Sequence, residues 1–229
     1  MGDGASRVGN IVKSLRNFSR LDEAESKTVD IHEGIDNTLT ILKSKLKAVK
    51  PRIEIVKEYG DLPTIECYPA QLNQVILNLT DNAIHAIAEH HEDRGDDDQD
   101  NALVVRDELP TLMITTGIEK ALSDTDQDQC VIRIRDNGAG IPADVRDRIF
   151  DPFFTTKPVG QGTGLGLSIS YKIITDTHRG SLVCESSLGQ GSEFIIRIPI
   201  FQGRRKGEEQ PREHSQAKER AHELSGALR

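Results

Sequence analysis

The sequence predicts an α/β (α+β) two-layer sandwich in which helices cover one face of a mixed sheet, preceded by a helical arm. Segments with helical spacing of apolar residues and segments of alternating strand character are both present, but without the regular alternation typical of a parallel sheet. The last two strand-like segments form a hairpin, which makes the sheet mixed. The chain has 229 residues, enough for one domain with its own core plus additional segments.

The arm occupies residues 1–27 and has an apolar stripe at helical spacing, formed by Val8, Ile11, Val12, Leu15 and Phe18. One helix cannot bury such a stripe by itself, so the arm needs a partner helix. Residues 28–201 form the predicted main domain. Residues 202–229 are charged and rich in Gly and Gln, which predicts a loosely ordered tail.

The first half of the main domain begins with a short extended segment at 28–31, followed by a helix over 35–47 with apolar residues at helical spacing. Alternation predicts strands over 52–58 and 64–67, separated by a turn with Gly and Pro. A long helix is predicted over 69–89, because proline suits the first helical turn.

The second half begins with an abrupt change of composition, since residues 90–109 are acidic and predict a solvated insertion. Strands follow over 112–118 and 130–135, then a short helix over 143–149 and a longer one over 163–178. A hairpin of strands 181–186 and 193–200 completes the predicted sheet.

Composition excludes several classes of function. The net charge of −8 and the aromatic content of 4% disfavour nucleic acid and anionic membranes, which attract basic surfaces. No run approaches the ~18 apolar residues of a membrane span, and no signal-peptide core is present, so we expect a cytoplasmic protein. Cys67, Cys130 and Cys184 are scattered without a CxxC pair, which predicts buried free thiols.

Two asparagines stand out on the polar face of the helix over 69–89. Asn78 and Asn82 are one turn apart, so their amides lie along one edge, with Asp81 and His85 on the same face. Asparagine is disfavoured inside helices because its side chain competes for backbone hydrogen bonds. An amide oxygen is a neutral hard ligand suited to a Mg²⁺ that also binds phosphate oxygens. Solvated or capping amides are the alternative interpretation.

A second motif, residues 136–142 (DNGAGIP), follows a predicted strand. Gly138 and Gly140 allow positive φ and a close approach to a ligand. Asp136, at the strand end, could accept a hydrogen bond from an exocyclic amine such as adenine N6. A tight Asp-Asn-Gly hairpin turn is the alternative, but Gly140, Ile141 and a predicted helix follow instead of a second strand.

A third motif alternates three glycines with larger residues and runs into a predicted helix: Gly162, Thr163, Gly164, Leu165, Gly166 and Leu167. Backbone N–H groups at a helix start, reached closely because side chains are missing, bind anions. The Lys-Ser/Thr ending of a P-loop is absent.

The segment before these glycines, residues 155–161, predicts a mobile lid that includes Thr156 and Lys157. Lys157 could neutralise phosphate charge, although a lone lysine on a loop is commonly just solvated. Phe153 and Phe154 are expected to anchor the base of the lid in the core.

Taken in order, these motifs and the Phe-rich segment 150–154 resemble the N, G1, F and G2 boxes of sensor histidine kinases. These kinases belong to the wider GHKL family of gyrase, Hsp90, MutL and histidine kinase ATP-binding domains. The resemblance covers residues 28–201 and implies a Bergerat-type fold that binds ATP and Mg²⁺. It places Asn82 on Mg²⁺, Asn78 near the phosphates and Asp136 on adenine. The full set of ATP-binding residues that it implies is Asn78, Asn82, His85, Asp136, Gly138, Gly140, Ile141, Phe153, Thr156, Lys157, Gly162, Thr163, Gly164, Leu165, Gly166 and Leu167.

Two details narrow the implied activity to a protein-histidine kinase. Hydrolytic relatives usually carry Glu where this chain has Asn78, and an amide cannot take a proton from an attacking water at neutral pH. Residues 11–20 also resemble the second helix of the kinase dimerisation hairpin. The alternatives are a non-catalytic nucleotide-binding adaptor and a GHKL-type ATPase.

The acceptor histidine of such kinases lies on the first helix of that hairpin, and no histidine precedes His32. His32 begins a helix of the ATP domain, whereas His222 lies on the wrong side of that domain. We therefore expect the acceptor on a separate hairpin, in a longer parent protein or in trans. The resemblance also implies a response regulator receiver domain as partner, and a homodimer through the arm if the hairpin is complete.

Overall fold

The computed structural model describes residues 25–50, 52–92, 109–121, 123, 127–157 and 162–201. The predicted arm, nearly all of the acidic insertion and the tail lie outside these residues, so those expectations stay predictions. The elements in chain order are β1 (Lys27–Val29), α1 (Ile31–Ala48), β2 (Glu54–Tyr59), β3 (Ile65–Cys67), α2 (Pro69–Glu92), β4 (Thr111–Glu119), β5 (Gln129–Asp136), α3 (Ala143–Arg146), α4 (Gly166–Lys172), a π-helix (Ile173–Thr177), β6 (Ser181–Ser187) and β7 (Gly191–Pro199).

The main sheet has five strands in the order β2-β4-β5-β7-β6. The β2–β4 pair is parallel, and every other neighbouring pair in this sheet is antiparallel. β1 and β3 form a separate two-stranded antiparallel sheet. The parallel pair is possible because α2 carries the chain back between β3 and β4. The predicted mixed sheet is therefore confirmed.

Helix α1 begins four residues earlier than its apolar spacing predicts. Asp30 caps the helix, because its side chain accepts a hydrogen bond of 2.8 Å from the backbone N–H of His32. Glu33 lies in the first turn and Lys45 in the last, where each charge suits the helix dipole. Its buried face, including Ile35, packs against α2.

Helix α2 lies on one face of the sheet and packs on β4, β5 and β7. Its apolar face joins inward-facing strand residues in one hydrophobic core, whose fully buried members include Leu72, Ile76, Leu79, Ile87, Leu112, Ile114, Ile132 and Ile134. The predicted two-layer arrangement is confirmed. Among the described residues, no helix is sufficiently long and apolar to cross a membrane.

The predicted helix over 163–178 differs most from the structure. Its α-helical part is confined to Gly166–Lys172, and the π-helix Ile173–Thr177 follows. His178, which is fully buried, ends this segment, because its backbone N–H and its Nδ1 both bond to the carbonyl oxygen of Ile173, at 3.1 and 2.9 Å. Its Nε2 accepts a hydrogen bond from the Tyr68 N–H. The imidazole thus joins the π-helix to the start of α2.

The cysteine prediction is confirmed for two of the three thiols. Cys67 and Cys130 are free and buried, and burial raises their pKa to about 11 and about 12. Cys184 is free but only half-buried, because it lies on the edge strand β6.

The helix predicted over 143–149 is shorter in the structure than in the prediction, because only Ala143–Arg146 is α-helical.

Candidate functional site

A cavity of about 380 Å³ opens between α2, the loop after β5 and the glycine-rich segment that leads into α4. It brings together most of the residues singled out in the sequence, namely Asn78, Asn82, His85, Asp136, Gly140, Ile141, Thr156, Lys157, Gly162, Thr163, Gly164, Gly166 and Leu167. Gly138, Phe153 and Leu165 do not line it. The three sequence motifs therefore form one site.

The polar face of α2 supplies one wall of the cavity. The Asn78 Nδ2 donates to the Gly166 carbonyl oxygen at 3.4 Å and to the Ser170 Oγ at 3.3 Å, so α4 orients this amide. Asn82, one turn later, has no side-chain hydrogen bond to any described residue. The His85 Nδ1 is buried without a hydrogen-bond partner and lies 3.6 Å from Glu89 Oε1. The Asn82 amide, which lines the cavity, is therefore available to a polar ligand.

Asp136 supplies a buried carboxylate at the end of β5. It is 2% exposed, and its Oδ1 accepts hydrogen bonds from the backbone N–H of Gly138 at 2.9 Å and of Ser192 at 3.2 Å. Burial raises its pKa to about 6, and the two backbone hydrogen bonds limit that rise. Its Oδ2 has no hydrogen bond to any described residue, so the carboxylate can accept one from a ligand in the cavity that Asp136 lines.

The loop after β5 is clamped between α2 and the β6–β7 turn. A Cβ on Gly138 would lie 2.5 Å from the backbone of Ala86, so the missing side chain allows contact with α2. Gly138 lacks the positive φ that was expected of it, and its expected contact with a ligand stays a prediction. Gly140 does have positive φ, at 71°, and a Cβ there would lie 2.0 Å from the Ser187 carbonyl oxygen. Gly140 therefore allows the loop after β5 and the β6–β7 turn to lie close together.

The Phe-rich segment corrects another expectation. Phe154 packs against the core, with the Arg148 guanidinium 4.7 Å from its ring centroid. Phe153, in contrast, has a φ of 66° and is 67% exposed. Its backbone passes so close to Gly164 that a Cβ there would lie 2.4 Å from the Phe153 carbonyl carbon. The prediction that Phe153 anchors the lid in the core is wrong, because this crossing turns its ring outward.

The glycine-rich segment lies along the cavity, but its leucines divide between cavity and core. Leu167 lines the cavity, whereas Leu165 is buried in the core. The Leu165 backbone N–H bonds to Thr163 Oγ1 at 3.4 Å, and α4 begins at Gly166. Of the predicted lid, residues 155–157 are described and line the cavity, and residues 158–161 lie outside the described residues.

Sequence reasoning missed several lining residues. Glu89 continues the polar face on which the sequence already placed Asp81, so helical spacing alone could have included it. Ser192 and Phe194 come from β7, and no sequence signal relates them to the cavity. Lys157 lies near both carboxylates, and burial lowers its pKa whereas Asp81 and Glu89 raise it.

Whether a Mg²⁺ ion fits depends on the donors present. Among the described residues there is no group of three or more His, Cys, Asp or Glu that could hold a metal by itself. The Asn82 amide oxygen, free of internal hydrogen bonds, fits a Mg²⁺ that takes most of its other ligands from phosphate and water. The site thus suits a metal that arrives with a phosphorylated ligand.

Comparison with known proteins identifies the family. The family model described as "Histidine kinase-, DNA gyrase B-, and HSP90-like ATPase" matches residues 67–202, more than half of the chain. The chain belongs to this ATPase family. The resemblance seen in the sequence motifs is confirmed, and the mixed sheet with its helices matches histidine kinase catalytic domains.

The similar proteins are sensor histidine kinases. Sensor kinase CckA of Brucella abortus (strain 2308) is 34% identical over 97% of this chain, which spans 22% of the length of CckA. The catalytic domain of histidine kinase ThkA is 28% identical, with a TM-score of 0.58, over 78% of this chain and 97% of that one. ThkA in complex with its response regulator TrrA aligns with a TM-score of 0.61 and 26% identity, over 87% of this chain and 49% of that one.

Proposed function

We propose that this chain is the catalytic, ATP-binding part of a sensor histidine kinase and transfers the γ-phosphoryl group of ATP to a histidine, for relay to a response regulator. The observation that carries the proposal is the cavity into which two α2 asparagines, a buried carboxylate and a glycine-rich segment all face. The similarity to CckA and ThkA supports it, since both are named as kinases.

Adenine recognition falls to Asp136 and the loop that follows it. The carboxylate accepts the hydrogen bond of the exocyclic amine, while Gly138 and Ser192 hold it in place through their backbone N–H groups. Gly140 and Ile141 supply the neighbouring wall. This end of the cavity selects adenine through one charge-assisted hydrogen bond in a buried environment.

Phosphate binding falls to α2 and the glycine-rich segment. Asn82 would supply an oxygen to a Mg²⁺ ion that arrives with the nucleotide, and this ion would polarise the phosphate oxygens and offset their charge. Asn78, His85 and Lys157 line the same cavity as Asn82, together with Gly162, Thr163 and Gly164 of the glycine-rich segment. These groups orient the γ-phosphoryl group for attack from outside the cavity.

Transfer to a histidine is favoured over transfer to water. The Asn78 amide has no basic site at neutral pH, and its Nδ2 is already committed to Gly166 and Ser170. A neutral imidazole nitrogen needs no base to attack phosphorus: a P–N bond forms as the bond to the bridging oxygen breaks, and ADP leaves with that oxygen. Two histidines of the described region, His32 and His178, are engaged in packing against Tyr59 and Tyr68. We assign the acceptor to a separate hairpin, because residues 11–20, which resemble a helix of the dimerisation hairpin, contain no histidine.

The experiment combines this chain, labelled ATP, Mg²⁺ and a separate histidine-bearing hairpin. The expected result is an acid-labile, base-stable label on the hairpin that passes to a receiver domain, and the Asn82→Ala variant should not produce it. Steady phosphate release without labelled protein would instead identify an ATPase. Tight nucleotide binding with neither reaction would identify a nucleotide-binding adaptor.

A further inference from the structure

One ion pair joins helix α1 to the wall of the cavity. Lys45, in the last turn of α1, donates a hydrogen bond from its Nζ to the Oδ1 of Asp81 on α2. Asp81 directly precedes Asn82 and lines the cavity, with its side chain 34% exposed. Lys45 does not line the cavity, so its effect on a ligand passes through Asp81.

Charges of both signs surround this part of the cavity. Lys157 reaches it from the loop before the glycine-rich segment, where Asp81 and Glu89 favour its cationic form and Lys45 disfavours it. Asp81 and Glu89 both line the cavity on the α2 side. A polyanionic ligand would meet these carboxylates beside Asn82, and an unneutralised carboxylate there would repel it.

We propose that Lys45 is a positioning residue for the nucleotide phosphates: it neutralises Asp81, so that the α2 wall carrying Asn78 and Asn82 accepts a triphosphate. This inference rests on the proposed function, because it takes ATP as the ligand. It assigns a part in nucleotide binding to a helix outside the cavity wall. The influence of Lys45 must then grow with the number of phosphate charges and vanish when Asp81 carries no charge.

The test measures the Kd of ATP, ADP and AMP in the presence of Mg²⁺ for the whole chain and its variants. Lys45→Met is expected to weaken ATP binding roughly three- to tenfold, ADP less and AMP not at all, because exposed charges interact modestly across water. Raising the salt concentration should shrink the loss. Lys45→Arg, which keeps the charge, should restore binding.

A double-mutant cycle separates this role from a direct contact with phosphate. In an Asp81→Asn background, Lys45→Met should have no effect on ATP affinity. Lys47→Met is the matched control, since Lys47 is exposed in the same last turn of α1 and should change nothing. Melting temperatures establish that each variant is folded.

Two results overturn the inference alone. One is a folded Lys45→Met variant that binds ATP like the unmodified chain, and the other is a double variant as weak as Lys45→Met. If the unmodified chain binds no adenine nucleotide, the proposed function and this inference fail together. The two kinds of failure are therefore distinguishable.

Discussion

Replacing Asp136 with Asn separates two properties of this carboxyl group, which are its hydrogen bonds within the protein and its capacity to accept one from a ligand. Its Oδ1 already accepts from the N–H groups of Gly138 and Ser192, at 2.9 and 3.2 Å. An asparagine can keep an oxygen in that position, because both partners are donors. Its Nδ2 then replaces Oδ2 and presents N–H groups to an adenine amine that is itself a donor.

The expected loss of affinity follows from the bond that disappears. A hydrogen bond to a charged group contributes about 1.5–3 kcal/mol, so Asp136→Asn should weaken binding by roughly 10- to 150-fold. Calorimetric titration at pH 7.5 should give the same factor for ATP, ADP and adenosine, because the phosphates bind elsewhere. Asp144→Asn, a substitution on the exposed surface of α3, is the control and should leave all three affinities unchanged.

Stability should change in the opposite direction. Burial raises the pKa of Asp136 to about 6 from an ordinary 3.8, so the ionised form is disfavoured in the folded state. The stability linked to this group is therefore fully present below pH 3.8 and is lost as the pH rises through about 6. The Asn variant avoids this loss and should be more stable at pH 7, by up to about 3 kcal/mol, with no gain near pH 4.

Denaturant unfolding at the two pH values tests the second half of this prediction. A folded Asp136→Asn variant that binds adenosine normally would refute the adenine assignment. A variant that loses affinity but gains no stability at pH 7 would refute the claim that burial of the carboxylate is unfavourable.

Three further predictions concern the turn, the metal and pH. Gly140→Ala should lower the free energy of unfolding by more than about 2 kcal/mol, because alanine is strained at a φ of 71° and its Cβ would meet a carbonyl oxygen. Gly117→Ala, whose Cβ would enter open space, should change it by less than about 1 kcal/mol in the same urea titration. Asn82→Ala should weaken Mg²⁺-ATP binding roughly tenfold or more but leave AMP binding unaltered in a fluorescence competition assay, because only the former needs the metal. Burial lowers the pKa of His178 from 6.5, so the stability that this neutral imidazole contributes is present above pH 6.5 and is lost as the pH falls. His178→Gln should flatten that part of the pH dependence of unfolding, and an unchanged slope between pH 7.5 and pH 5.5 would contradict the assignment.

The helix-borne part of the site is the part that sequence reasoning predicted best. Asn78, Asn82 and His85 recur at intervals of about one turn, and the fixed rotation per residue of a helix places them on one face whatever the helix packs against. The strand that ends at Asp136 could be predicted equally well, because alternation along a strand depends on adjacent residues only.

Phe153 shows where such reasoning stops. An aromatic residue in an apolar segment is typical of the core, and nothing in its neighbours predicts a φ of 66°. That backbone conformation arises because the chain crosses Gly164 at close range. The prediction of a positive φ at Gly138 is wrong for a similar reason. Its missing side chain allows a contact with α2, which is distant from Gly138 in the sequence.

The sequence by itself determined the kinds of groups in the cavity, the faces of the helices that carry them, and the family to which their order is similar. Only the tertiary structure decided the environment of each group. The pKa of Asp136 is raised by burial, and a hydrogen bond from Ser192, 56 positions away, limits that rise. The ion pair of Asp81 is made with Lys45, which lies 36 positions away. Helix and strand periodicities are local, whereas burial and charge pairing depend on which elements pack together.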